Sequence, residues 1–168
     1  MASFRGARAA LWPLAVLLTV LAGCGFQLRG QAALAPEFQR VALQGVDVYS
    51  ELGNSLRALL EANGAEVVEV DPSGVLWILE QRFNSDVTGL GSDGKAREFR
   101  LSYRVRFRAE TDDGRLLVAP DEVRLFRDYA YDQDQILGRS AAEEDLRREL
   151  TREAAWLVLL RLQAVPET

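Results

Sequence analysis

The chain has 168 residues with 20 basic and 25 acidic side chains, which gives a net charge of −5 at neutral pH. It has no histidine and a single cysteine, so nucleophile–histidine catalysis, the usual zinc sites and an intrachain disulfide are all excluded. The acidic balance argues against nucleic acid as a partner, and we predict no enzymatic activity, no cofactor and no metal site.

An apolar leader comes first. Arg5 and Arg8 precede an apolar run from Leu11 to Leu21, whose length is typical of a secretory leader and too short to cross ~30 Å of hydrocarbon. The run ends in Leu-Ala-Gly-Cys, the pattern of a bacterial lipobox, which predicts cleavage before Cys24 and its acylation. An ordinary secretory leader followed by an incidental buried cysteine is the alternative.

These features divide the chain into three parts. We predict a lipoprotein signal peptide at 1–23, a lipidated amino terminus and tether at 24–36, and a single domain at 37–168. Without the leader the net charge is about −7, because two arginines leave with it. In bacterial lipoproteins an aspartate after the cysteine is typical of inner-membrane retention, so Gly25 predicts an outer-membrane location.

The first part of the domain predicts a strand and a helix. Arg40 to Leu43 is a short apolar segment. Ser50 is a good N-cap for a helix whose apolar stripe contains Leu52, Leu56, Leu59 and Leu60, and Asn63-Gly64 supplies a C-terminal stop. Glu66 to Val70 is interpreted as a brief extended segment.

Three longer strands follow. Val75 to Val87 is strand-like, and the glycine-rich connection from Gly89 to Lys95 lacks the pattern of a phosphate loop, so we interpret it as a flexible hairpin loop. Phe99 to Ala109 alternates strictly between apolar residues and mainly arginine, which predicts one buried and one basic face. Asp112-Asp113-Gly114 predicts the turn into a partner strand, Leu116 to Tyr131.

The last predicted element is a long helix that begins with the capping box Ser140-x-x-Glu143 and ends before Pro166. The order of elements predicts an α+β two-layer sandwich, in which a four-stranded, mostly antiparallel sheet carries two helices on one face. The other face of the sheet would then be uncovered.

The uncovered face is a candidate binding surface. Its predicted cations are Arg100, Arg104, Arg106 and Arg108, with Arg82, Arg124 and Arg127 on neighbouring strands. Guanidinium groups pair bidentately with phosphates or with acidic side chains of a partner. Alternatively, the face is merely solvated, with weak cross-strand pairs to Glu80, Asp86, Asp121 or Glu122.

A second candidate group consists of cations near chain reversals. Lys95 is the only lysine of the chain and lies at the tip of the glycine-rich connection, close to Arg97. Arg139 precedes the predicted N-cap of the last helix, where its charge opposes the positive end of the helix dipole. A cation in an unfavourable position suggests a functional use.

Several strings together resemble one family. CGFQLRG follows the lipobox, and SLRALLEANGAEVV, EFRLSYRVRFRAETDDGRLL, VRLFRDYAYDQDQILGRSAAEEDLRREL and AAWLVLLRLQ follow in order. This set resembles the lipopolysaccharide-assembly lipoprotein family LptE. The resemblance implies a lipid-anchored plug on the periplasmic side of the outer membrane, within the lumen of the β-barrel LptD, which assists barrel assembly and binds lipopolysaccharide. By position, Lys95, Arg97 and Arg139 would be the lipopolysaccharide-binding residues. The alternative is a generic periplasmic-facing lipoprotein that binds a soluble partner or peptidoglycan.

Overall fold

The computed structural model describes residues 34–130 and 136–166, and for residues 136–140 it describes the helical backbone alone. The predicted signal peptide and Cys24 lie outside the described residues. The elements in chain order are a 3₁₀ turn (Pro36–Phe38), β1 (Arg40–Gln44), α1 (Glu51–Ala62), β2 (Glu66–Val67), β3 (Gly74–Leu90), β4 (Ala96–Thr111), β5 (Leu116–Ala130) and α2 (Ile136–Gln163).

The strands form one mixed sheet in the order β2-β1-β3-β4-β5. The α+β class with two helices is confirmed, but the prediction of four mostly antiparallel strands was wrong. Strand β1 pairs in parallel with both β2 and β3, while β3–β4 and β4–β5 are antiparallel hairpins. Apolar periodicity carries no strand direction, and the two-residue β2 becomes a parallel neighbour of β1 only because α1 forms the crossover between them.

Local signals explain α1 well. The Ser50 side chain accepts a hydrogen bond from the backbone N–H of Gly53 at 3.1 Å, which satisfies one of the free donors at the helix start. Leu52, Leu56 and Leu60 are buried, as the apolar stripe predicted. Gly64 ends the turn with a φ of 87°, a conformation that a side chain would make unfavourable.

The core lies between the helices and one face of the sheet. The alternation along β4 buries Leu101, Tyr103, Val105 and Phe107 while their neighbours face outward, which confirms the predicted faces. A register shift between Ile78 and Glu80 in β3 changes which residues of that strand face inward. Ala35, within the predicted tether, is also buried in this core.

Helix α2 begins at Ile136, four residues before the predicted N-cap. The prediction that Ser140 starts the helix was wrong, because the Ser-x-x-Glu pattern here lies inside it. Serine and glutamate in a helix interior cost only a few tenths of a kcal/mol, so the pattern alone does not mark a start. The carboxylate of Glu143 instead accepts hydrogen bonds from Arg147 at 2.8 Å and from the Tyr129 hydroxyl at 3.1 Å.

The C-terminal half of α2 completes the core. Its fully or nearly fully buried apolar residues are Leu150, Ala154, Ala155, Val158, Leu159 and Leu162. They pack against α1 and the inner face of β4 and β5. This arrangement accounts for the nearly continuous apolar sequence of that half.

Candidate functional site

Both helices lie on one face of the sheet, so the outward side chains of β3, β4 and β5 form an open charged face. The alternation along β4 places Arg100, Arg104, Arg106 and Arg108 on it, as predicted. Strand pairing then sets Arg82 of β3 and Arg124 of β5 directly opposite Arg104. Three guanidinium groups therefore form one row across three strands, which we call the arginine row.

The carboxylates around the arginine row are fewer than the guanidinium groups. Glu80 lies 3.6 Å from Arg82 and 3.7 Å from Arg106. Glu122 likewise contacts both Arg104, at 3.7 Å, and Arg124. Some of the predicted cross-strand pairs are thus present, but two carboxylates serve four cations. Like charges directly opposite each other destabilise a sheet, so the row is an energetically unfavourable local arrangement.

A bidentate ion pair borders the row. Arg100 donates from Nε and Nη2 to the two carboxylate oxygens of Asp128, at 2.7 and 2.9 Å. These hydrogen bonds lower the pKa of Asp128 and raise the pKa of Arg100. The Arg100 guanidinium also lies 4.7 Å from the ring centroid of Phe126, which is 57% exposed.

Between these groups the surface forms a shallow depression of about 480 Å³. Its lining residues include Arg82, Asn84, Arg100, Ser102, Arg104 and Phe126. Guanidinium and hydroxyl donors thus surround an exposed aromatic ring. Such a surface can accept phosphate or carboxylate oxygens through charge-assisted hydrogen bonds while an apolar group contacts the ring.

The sequence did not reveal a second aromatic contact on this face. The indole Nε1 of Trp77 donates to Glu110 at 2.7 Å, and the Arg108 guanidinium lies 5.4 Å from the Trp77 ring centroid. Residues from β3 and β4 meet here only through the strand register. That register includes the shift after Ile78, which the spacing of residues did not predict.

Two charged residues lie on the helix side instead. Arg127 pairs in register with Leu101 and binds Glu149 and Glu153 of α2, so its placement on the open face was wrong. Asp121 binds Arg161 of α2 at 3.0 Å rather than a cation of the open face. The signal was available, because odd-numbered residues of β5 share one face and several of them are apolar.

The glycine-rich connection is a hairpin turn, as predicted. The N–H of Gly91 donates to the carbonyl of Lys95 at 2.8 Å. Asp93 accepts from the Lys95 backbone N–H and from the Arg97 guanidinium, both at 3.2 Å. These hydrogen bonds lower the pKa of Asp93. The side chain of Lys95 remains exposed at the turn.

Arg139 lies within the first turn of α2 rather than before the helix, which corrects its predicted position. One turn later, Glu143 contacts Tyr129, and Tyr129 stacks on Phe99 with 5.5 Å between ring centroids. Phe99 belongs to the part of β4 that follows the glycine-rich hairpin. The fold therefore brings the start of α2 and the Lys95 hairpin to the same end of the sheet.

Within 34–130 and 136–166, no group of three or more histidine, cysteine, aspartate or glutamate side chains could hold a metal ion. In the same part of the chain, no helix combines the length and apolar character needed to cross a membrane.

The fold places the chain among small bacterial lipoproteins of the α+β class. Lipoprotein B from Nitrosomonas europaea is 28% identical with a TM-score of 0.69, over 83% of this chain and 91% of that one. The rare lipoprotein B from Shewanella oneidensis is 25% identical with a TM-score of 0.64, over 72% of this chain and 91% of that one.

Sequence comparison identifies the family within this class. The model of the LptE family, described as lipopolysaccharide-assembly, matches residues 38–162. The LPS-assembly lipoprotein LptE of Photorhabdus laumondii is 30% identical over 154 residues, which cover 90% of this chain and 82% of the relative. That of Yersinia enterocolitica is 30% identical over 156 residues, with 90% and 73% covered. The chain belongs to the LptE family, which confirms the resemblance found in its sequence.

Proposed function

We propose that this protein is an outer-membrane lipoprotein of lipopolysaccharide assembly, anchored through acylated Cys24. Its domain occupies the lumen of an LptD-type β-barrel, assists assembly of that barrel, and binds lipopolysaccharide during insertion at the cell surface. The protein supplies binding surfaces and no chemistry. Membership of the LptE family supports a role in lipopolysaccharide assembly. The surfaces of the domain support the proposals of a barrel partner and a lipopolysaccharide ligand.

The observation that carries the proposal is the open sheet face. Strands β3, β4 and β5 have 17, 16 and 15 residues, and their outward face carries charged and aromatic groups instead of a third layer. Phe126 is a large apolar residue exposed on this face, and Leu90 is exposed at the end of β3. Exposed apolar groups mark interaction sites. A domain with such a surface therefore suits a permanent partner that encloses it.

The proposed lipopolysaccharide contacts are Lys95, Arg97 and Arg139. Lipopolysaccharide presents phosphate and carboxylate groups, which ammonium and guanidinium groups bind. The three residues belong to two elements that meet at one end of the sheet. Because Lys95 is exposed at a tight turn, it can reach a ligand without any change in the core.

The test is a triple charge reversal, Lys95→Glu, Arg97→Glu and Arg139→Glu, in the full chain. We expect weaker lipopolysaccharide binding and a nearly unchanged thermal midpoint, because Lys95 and Arg97 are exposed and Arg139 belongs to the first turn of α2. Binding by the parent should also weaken between 0.1 M and 1 M salt, as the Debye length falls from ~10 Å to ~3 Å. Purification from detergent-solubilised outer membranes measures barrel binding in the same samples.

A matched control reverses Arg40, Arg148 and Arg152, which are exposed cations of other surfaces. The control should retain lipopolysaccharide binding at equal net charge. If the triple variant binds lipopolysaccharide as tightly as the parent while the barrel still co-purifies, the function is plugging and assembly of the barrel alone. If no large barrel co-purifies with the parent, the proposed partner is wrong.

A further inference from the structure

Arg57 of α1 is an unusual arginine. Every other arginine whose side chain the structure describes makes an ion pair or a hydrogen bond. Arg57 has neither with any described residue, and its Nε atom is buried without a hydrogen-bond partner. A guanidinium stays charged in proteins, and leaving a buried donor unpaired is costly. An anion bound at Arg57 would remove this cost.

Arg57 lines a pocket of about 290 Å³. The remaining wall consists of Leu43, Gln44, Val48, Val67, Val68 and Glu69. These residues lie at or just beyond the carboxyl ends of the parallel strands β1 and β2, with α1 as the crossover between them. Ligands of open sheets with parallel strands bind at that end, outside the carboxyl ends of the strands.

The composition of the wall specifies the ligand. The guanidinium requires an anion, and four aliphatic side chains favour an apolar group beside it. Glu69 disfavours a second negative charge nearby, so a carboxylate suits the site better than a phosphate dianion. The volume lies at the lower limit of ligand pockets, which run from ~300 to 1,000 Å³. A short aliphatic substituent therefore fits, and a long acyl chain does not.

We infer that this pocket is a binding site for a single carboxylate on a short apolar group, with Arg57 as its anion contact. The carboxylate is either a free short-chain acid or an acidic side chain of a partner protein. The site goes beyond the proposed function, because it is formed by residues outside the open face and the Lys95 hairpin.

The experiment follows the Arg57 Nε–Hε resonance of the full chain in neutral detergent micelles by NMR. The two probes are butyrate and the peptide acetyl-Val-Glu-Val-amide, and butanol and acetyl-Val-Gln-Val-amide are the uncharged controls. We expect at least one anionic probe to shift the resonance saturably, and neither control to do so. The probe that saturates at the lower concentration identifies the source as a free acid or a protein side chain.

Two variants separate binding from a structural role. Binding to Arg57→Gln, which lacks this resonance, is followed in variant and parent through the backbone amide of Val68, another residue of the pocket wall. The variant should bind about 10- to 100-fold more weakly, the loss expected when a charge-assisted hydrogen bond is removed. Its thermal midpoint should stay nearly unchanged, because Arg57 makes no hydrogen bond or ion pair with a described residue that the variant would break. Arg152→Gln removes an exposed arginine of α2 and should bind like the parent. The inference is overturned if neither anion shifts the resonance, or if Arg57→Gln binds the probes as tightly as the parent.

Discussion

Replacing Leu101 by alanine should destabilise the domain far more than replacing Arg104, three residues along the same strand. Leu101 is completely buried between the sheet and the helices. Its truncation removes apolar contacts and leaves a cavity, which costs ~2–5 kcal/mol in protein cores. We expect about 3 kcal/mol at this site, which for a domain of this size lowers the thermal midpoint by roughly 10 °C.

Arg104→Ala should change the free energy of unfolding by less than ~1 kcal/mol. The side chain of Arg104 is 44% exposed, and its ion pair with Glu122 spans 3.7 Å. Exposed pairs of this kind contribute little, because water screens them and ordering two long side chains costs entropy. Loss of one cation from the arginine row also relieves repulsion of Arg82 and Arg124, which offsets part of the loss.

Urea unfolding of the full chain, followed by tryptophan fluorescence, measures both variants against the parent. Val105→Ala is the matched control, because Val105 is also fully buried on the inner face of β4. The Val105→Ala variant should be destabilised on the scale of the Leu101 variant. The slope of the unfolding free energy against urea concentration should be the same in all the proteins. If Leu101→Ala and Arg104→Ala were equally destabilised, the assignment of the two faces of β4 would be refuted.

The remaining predictions concern anchoring and pH. Cys24→Ala should abolish acylation and release the domain from the membrane; mass spectrometry that finds an intact Met1 or a free Cys24 thiol in the native host would contradict this. Burial raises the pKa of Tyr103 to about 12, so its stabilising contribution is complete below the unfolded pKa near 10 and is lost as the pH rises through 12. Chemical unfolding of the parent and of Tyr103→Phe between pH 9 and 12 tests this, since the variant should lack that part of the pH dependence.

Local signals predicted the elements that depend on local chemistry. The N-cap at Ser50, the stop at Gly64 and the alternation along β4 each have a cause within a few residues. The turn at Gly114 is a further case, because its φ of 85° suits the Asp-Gly pair. These features required no knowledge of the rest of the chain.

The errors have a non-local cause. The parallel pairing of β1 with β2 depends on how α1 returns the chain, and two residues of β2 carry too little pattern to indicate it. The placement of Arg127 is an exception, because it was assigned by residue type although the alternation along β5 already put Arg127 on the face of Val123 and Leu125. Arg57 could not be singled out at all, since an unpaired guanidinium is recognised only when its surroundings are known.

The charge of the open face also limits what can lie against it. An apolar third layer would have to remove several guanidinium and carboxylate groups from water, which costs several kcal/mol for each ion that loses its hydration without a matched partner. The open face is therefore unsuited to burial under an apolar layer, although it belongs to the same sheet as the covered face. The arginine row has more cations than carboxylates, so a surface with additional anions or trapped water can match it, while a purely apolar surface cannot. Within the proposed barrel, this face should contact a polar, hydrated part of the lumen wall. The exposed apolar side chains of Val87 and Leu90 should contact less polar parts of that wall.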